Sequence, residues 1–335
     1  MTTVAQVAAA TAAVALTSVI LSLATSIRRK IRAAKLLKPV PGPKGRFLVG
    51  LMPELIQNMH RFYDFQMDLM VKYGGRTKIP WNIFANHFLY LADPKDVEYV
   101  LSANVNNWIK SDRFTAAMGE LFGRSFLGIN HAHTPDDGAL WRLQRKVVTR
   151  VFTTSNFNLL TEGIFHKSAL CLVELIVSHN GKCDMRKTSS QYTMQTAFDI
   201  VCGVPLESFD KELGLQFIES MDFVFSSISQ RGIKKPYYTF LWWCMPSEYR
   251  LKRETKVLTN LVDSILEKRL AESGGEIAKR YDVLSLFIKK ARELKSGEGE
   301  SILDIPTLRS IVATLIFGAR DTTASTICYA FYNLA

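Results

Sequence analysis

A mainly α fold with a small β region is what the sequence predicts, and three observations carry it. From residue 140 onward, stretch after stretch places apolar residues at helical spacing between capping residues, glycines and prolines. Only Thr77–Ile79 and His87–Ala92 read as strands, with Trp81–Asn86 turning between them. The last stretch, Asp304–Ala335, is nearly all apolar between Ile311 and Phe317, which predicts a helix buried on every face.

The chain opens with Val4–Ile27, 24 residues without a charge, where a bilayer core needs about 20. Eight Lys or Arg and no acid follow between Arg28 and Arg46. Residues 1–27 therefore read as an N-terminal transmembrane anchor with the body facing the cytosol. A cleaved signal peptide would have a basic start and a shorter apolar core. Within residues 28–46, Lys38-Pro39-Val40-Pro41-Gly42-Pro43-Lys44-Gly45 alternates stiff and permissive residues, as suits a hinge.

Located this way, the net charge of +11 is not a nucleic-acid signal. The remainder carries 34 basic against 31 acidic residues, so no nucleic-acid partner is expected. Five cysteines without paired spacing argue against a disulfide framework and a zinc site. His131 and His133 form an HxH pair, but no third ligand of the right type follows nearby.

The body, residues 47–335, is read in order. Leu55–Tyr73 has helical spacing and ends at Gly74-Gly75. After the strands, Asp93 caps a helix over Pro94–Leu101. Val105–Asp137 mixes aromatics with Gly, Ser and His and has no clear period, which marks a long functional loop. Helices follow at Leu140–Phe152, Phe157–Ser178, Met185–Cys202 behind the Asp184 cap, Leu213–Ser229, Tyr249–Ala271 and Val283–Leu294. Pro236, Trp242, Trp243 and Pro246 mark an aromatic loop; Glu272–Ile277 and Ser296–Ser301 are Gly- and Glu-rich loops.

Two clusters carry chemistry. In the last helix, capped by Asp304 with Pro306 in its first turn, the island Arg320-Asp321-Thr322-Thr323 follows Gly318 and Ala319. Buried polar groups left unpaired cost about 1–3 kcal/mol each, so the island needs partners. Either the helix is distorted and offers an acid and an alcohol to a bound group, or Asp321 caps a second helix and Arg320 reaches solvent. A second membrane span over Ile311–Ala335 would bury Arg320 and Asp321 at about 2.5–3.5 kcal/mol each, and is set aside. In the second cluster, Trp141 and Arg145 are four apart on one helix. Together they either hold a carboxylate or stack on each other at the surface.

In this order, anchor, hinge, small β region, WxxxR helix and late buried helix resemble the N-terminal two-thirds of a microsomal cytochrome P450. Gly318-Ala319-Arg320-Asp321-Thr322-Thr323 is similar to the family's oxygen-activation motif, with Ala319 where a second Gly is usual. Trp141-x-x-x-Arg145 resembles the helix that binds a haem propionate. Residues 126–154, FLGINHAHTPDDGALWRLQRKVVTRVFTT, look closest to fatty-acid and alkane ω-hydroxylases.

The resemblance implies a b-type haem with iron, and electrons from NADPH through a membrane-bound reductase at the endoplasmic reticulum. It implies insertion of one oxygen atom from O2 into a C–H bond of a lipophilic substrate, a fatty acid or alkane chain. Asp321 and Thr322 would be catalytic. Trp141, Arg145, Gly318, Ala319 and Thr323 would contact the cofactor. Phe114, Phe126, Phe225 and Phe317 would line the substrate pocket. The family's FxxGxRxCxG loop and ExxR triplet do not occur in these residues. The fold is thus expected to be truncated after the oxygen-activation helix, with no metal ligand in this chain and the axial Cys downstream. The alternative is a short, inactive membrane-anchored protein.

Overall fold

The structure, a computed structural model, describes residues 2–46, 49–80, 87–131, 134–151, 153–205, 214–228, 245–295 and 303–334. The chain divides into two compact units, Met1–Trp108 and Ile109–Ala335.

The first unit opens with helix α1, Thr2–Leu36. Among the described residues no helix is long and apolar enough to cross a membrane, so the expected anchor rests on the sequence alone. Behind α1 the Pro-Gly segment runs beside a strand, β1 (Arg76–Ile79): Lys78 N donates to Pro41 O at 2.9 Å and Lys78 Nζ to Leu37 O at 3.0 Å. Strand β2 (Phe88–Leu91) pairs antiparallel with β1, Arg76 opposite Leu91 and Ile79 opposite Phe88. The two strands predicted by alternation are therefore present; the turn at residues 81–86 lies outside the described residues.

The helix expected over Leu55–Tyr73 is instead two, α2 (Met52–Gln57) and α3 (Phe62–Tyr73), separated by a 3-10 turn at Met59–Arg61. Asn58 stands at the break, where its backbone N–H and its side-chain amide both donate to Glu54 O, at 3.1 and 2.8 Å. Gly74, at φ 90°, ends α3. Leu51, Leu55, Leu69 and Ile79 form this unit's small core. Asp93 caps α4 (Pro94–Glu98) by accepting from Lys95 N, and Arg76 clamps Asp96 through both carboxylate oxygens.

In the second unit the chain from 105 to 137, expected to be irregular, contains a helix, α5 (Asp112–Phe122), capped by Ser111. Then come α6 (Pro135–Val151), α7 (Thr154–Leu160), a π turn at Thr161–Phe165, and α8 (His166–Ser178). They are followed by α9 (Met185–Cys202), α10 (residues 214–228), α11 (Pro246–Ala271), α12 (Gly274–Ala278), α13 (Val283–Lys295) and α14 (Ile305–Leu334). The aromatic loop around Pro236, Trp242 and Trp243 lies outside the described residues.

The core gathers on α6, α9, α11, α13 and α14, where Leu140, Phe198, Ile265, Phe287 and Ile316 are buried together. Burial of each such side chain stabilises by about 1.5–3 kcal/mol. Arg269 is buried in this core and is held by bidentate pairs to Glu272 and Asp282, which tie α11 to the start of α13. Its role is structural: a charge so deep needs full pairing.

Candidate functional site

Helix α14 starts where Asp304 accepts from Thr307 N at 2.8 Å, the cap that the sequence predicts. Its buried side is Leu308, Ile311, Val312, Thr314, Ile316 and Ala324, packed on α9 and α11. The helix continues without interruption to Leu334. Asp321 therefore caps no second helix. Thr322 Oγ1 donates to Gly318 O at 2.7 Å and Thr326 Oγ1 to Thr322 O at 2.8 Å, so the hydroxyls are satisfied inside the ladder.

Arg320 does not reach solvent. It is 2% exposed, and its Nη1 donates to Asp222 Oδ1 on α10 at 2.5 Å and lies 3.2 Å from Asp321 Oδ1. Asp321, half-buried, has its carboxyl held above the usual carboxylate range. Burial is the main cause; Arg320 and Arg186 pull the other way and Asp222 adds to the rise.

Gly318 sits on an open face. A Cβ placed there would have no atom within 4 Å, and Thr322, one turn on, is exposed beside it. Thr323 is exposed and Ala319 half-buried. One side of α14 thus offers a hydroxyl, a bare stretch of backbone and, at its edge, a half-buried carboxyl whose proton affinity is raised. That combination suits a flat ligand lying against the helix and a proton delivered to it.

Phe317 turns the other way. Its ring is 4.3 Å from Phe225 of α10 and 5.3 Å from Phe122 of α5. Two of the four expected pocket aromatics are thereby brought together. Phe114 is exposed on α5 and Phe126 half-buried in the following loop; among the described residues no ring contact joins them to the pair.

On α6, Trp141 is half-buried between His131, with rings 5.2 Å apart, and Arg145, whose guanidinium carbon lies 5.8 Å from the indole centroid. The stacking geometry is therefore present, and it leaves Arg145 exposed with no carboxylate partner among the described residues. Lys110 is a second cation nearby. Burial, with a smaller contribution from Arg145, brings its ammonium down to about 8. Lys110 spends its donors on the carbonyls of Phe126, Leu127 and Ile129, so of the two cations the exposed Arg145 is the one open to an anionic ligand. His133 of the HxH pair lies outside the described residues; among those described, no cluster of His, Cys, Asp or Glu could hold a metal ion.

Sequence reasoning missed two groups here. Arg320 carried a signal, since a charge in an apolar run demands a buried partner, but Asp222 is 98 residues away. Lys110 carried none, because its partners are backbone carbonyls.

Residues 40–335 match the family model described as Cytochrome P450. The chain is similar to Cytochrome P450 704B1 of Arabidopsis thaliana, 27% identical over 88% of this chain and 56% of that protein. It is similar to Cytochrome P450 94B1 of the same plant, 26% identical over 92% of this chain and 59% of that protein. To Cytochrome P450 4d10 of Drosophila mettleri it is 23% identical, over 94% of this chain and 61% of that protein. The chain spans less than two thirds of the length of each.

Proposed function

The chain belongs to the cytochrome P450 family, and we propose that it forms the oxygen-activating part of a haem-thiolate monooxygenase that inserts one oxygen atom from O2 into a C–H bond of a lipophilic substrate. The observation that carries this reading is the open Gly318–Thr322 face of an unbroken helix that is buried on its other side and not, as expected, on every face, with Asp321 at its edge. When bound, haem supplies the O2 chemistry and the oxidising power. The protein supplies orientation and protons.

In this reading Gly318 and Ala319 clear the approach to the helix, and Thr323 lines it. The Thr322 hydroxyl donates a hydrogen bond toward the open face, exchanging its bond to Gly318 O. Asp321, whose affinity for a proton is raised by burial against the pull of Arg320, relays protons toward Thr322. Arg145, with the Trp141 indole N–H, would hold a propionate carboxylate. None of the five cysteines has the family's haem-ligand surroundings, so the thiolate is assigned to chain outside residues 1–335.

A fatty acid or alkane chain is the proposed substrate, supported by residues 126–154 and by the apolar Phe122–Phe317–Phe225 ring cluster. Electrons would come from NADPH through a reductase. The uncharged residues 4–27 and the basic cluster behind them support an endoplasmic-reticulum anchor.

The test is the full-length protein, reduced under carbon monoxide. The family's characteristic Soret shift is expected; its absence overturns the reading. In the same protein Asp321→Asn should lower product formation about 100-fold, the usual share of a positioned proton donor, while haem content stays unchanged.

A further inference from the structure

We propose that Lys110 is a positioning residue: it pins the loop 123–131 that joins the Trp141–Arg145 helix to the oxygen-activating helix, and so sets the spacing of two walls of the haem site. The inference rests on the haem reading above for its consequence, though not for its geometry.

The ammonium of Lys110 has three N–H bonds and finds three acceptors, the carbonyls of Phe126, Leu127 and Ile129 at 2.6, 2.9 and 2.9 Å. Its own backbone is held as well. Lys110 N donates to Asn130 Oδ1 at 2.7 Å, and Asn130 Nδ2 donates back to Lys110 O at 2.9 Å. Five bonds therefore fasten one residue to one turn. Converging carbonyls repel, and a cation with three donors satisfies all of them at once; an apolar side chain would leave them without partners.

That turn is what α6 and α14 both hang from. Toward α6, Gln144 Nε2 donates to Arg124 O at 2.8 Å, the His131 ring stacks on Trp141, and Gly138 lies so close to His131 that a Cβ would stand 2.6 Å from its carbonyl oxygen. Toward α14, Thr314 Oγ1 donates to Ser125 Oγ at 2.7 Å, and a Cβ at Gly123 (φ 38°) would lie 2.5 Å from Ser310 Oγ. The face of Trp141 turned to His131, and with it Arg145, is thus located through a loop held from outside by the half-buried Lys110. No substrate or cofactor contact is required of Lys110; it acts through the loop.

The experiment compares wild type, Lys110→Met and Lys110→Arg in the full-length protein by hydrogen exchange and by transfer of haem to an acceptor apoprotein. Lys110→Met should speed exchange about tenfold across residues 123–131 and onward into α6 as far as Arg145, since local opening now needs fewer bonds broken. It should lose haem about tenfold faster, the usual effect of removing a group that orients a cofactor's contacts. Lys110→Arg, which keeps the charge and the donors, should restore most of both. Faster exchange confined to 126–130, with α6 unchanged and haem retained, overturns the inference. Gln144→Leu stands in if Lys110→Met does not fold: it cuts only the tie from loop to α6, and should speed haem loss with exchange at 126–130 unaltered. Unaltered haem loss in that variant also overturns the inference. A wild type that takes up no haem instead overturns the functional reading, and the exchange comparison still decides the part played by Lys110.

Discussion

Arg320 on α14 donates to Asp222 on α10 at 2.5 Å, and the two ends of this pair are in different surroundings: the guanidinium side chain is 3% exposed and the carboxylate side chain 61%. A buried charge without its partner is expensive, whereas an exposed one returns to water. Asp222→Asn should therefore cost more, about 2–4 kcal/mol, than Arg320→Met at about 1–2 kcal/mol, which leaves behind only a solvated carboxylate. Urea unfolding of the two variants decides the order. The reverse order would mean that Asp321 alone is partner enough for Arg320.

The same pair tunes Asp321. Its carboxyl is held above the ordinary 3.8 by burial, against the pull of Arg320. The folded state thus keeps this proton to higher pH than the unfolded chain does. The contribution of Asp321 is complete below 3.8 and is lost as pH rises through the folded pKa. Relative to Asp321→Asn, which does not titrate, wild type should lose stability as pH rises from that point. Arg320→Met should extend the loss to higher pH, because it removes a group that favours the anion. A wild type that gains on Asp321→Asn with rising pH would reverse the sign and refute the burial argument.

Much of this was legible locally. Met185–Cys202 is bounded by Asp184, which accepts from Lys187 N, and by Gly203 in a left-handed conformation, and the sequence predicted both ends. Two short-range signals were present and passed over: Ser111, capping α5, and the capping box of Ser273 and Glu276 that starts α12. The Trp141–Arg145 spacing was readable because four residues make one helical turn. The parts that were not readable are long-range. Asp222 has no local mark that says it meets Arg320, and three backbone carbonyls leave no trace in residue identity at all. The break between α2 and α3 was missed for another reason: helical periodicity continues through Asn58, where the helix ends.

Gly318 separates stability from function. It is in the interior of α14 with nothing near its missing Cβ, so Gly318→Ala should stabilise the haem-free protein by about 0.5–1 kcal/mol through helix propensity alone. Gly318→Leu should fold as well, because its side chain enters open space, yet it should lower haem-dependent product formation at least about tenfold by occupying the face proposed for the cofactor. Thermal unfolding and product assays on both variants test this. Unchanged turnover in Gly318→Leu would show that nothing lies against this face.

Lys110 should show a cost in stability for the position it enforces. Burial first, then Arg145, brings its pKa from 10.5 to about 8. The unfolded chain keeps the proton up to 10.5, so the lysine's stabilising contribution is present above 10.5 and lost as pH falls through about 8. The unfolding free energy of wild type, minus that of Lys110→Met, should accordingly rise between those two values. Lys110→Arg should lack the rise, because a guanidinium stays charged throughout. The three carbonyls oppose this trend, since they favour the charged form, and the sign of the slope reports which effect wins. A rising difference means that desolvation wins and that the ammonium lowers stability at neutral pH while it fixes the loop, the trade often made by buried charges that specify one geometry. A falling difference would mean that the carbonyls hold the proton, and that burial does not set the behaviour of Lys110.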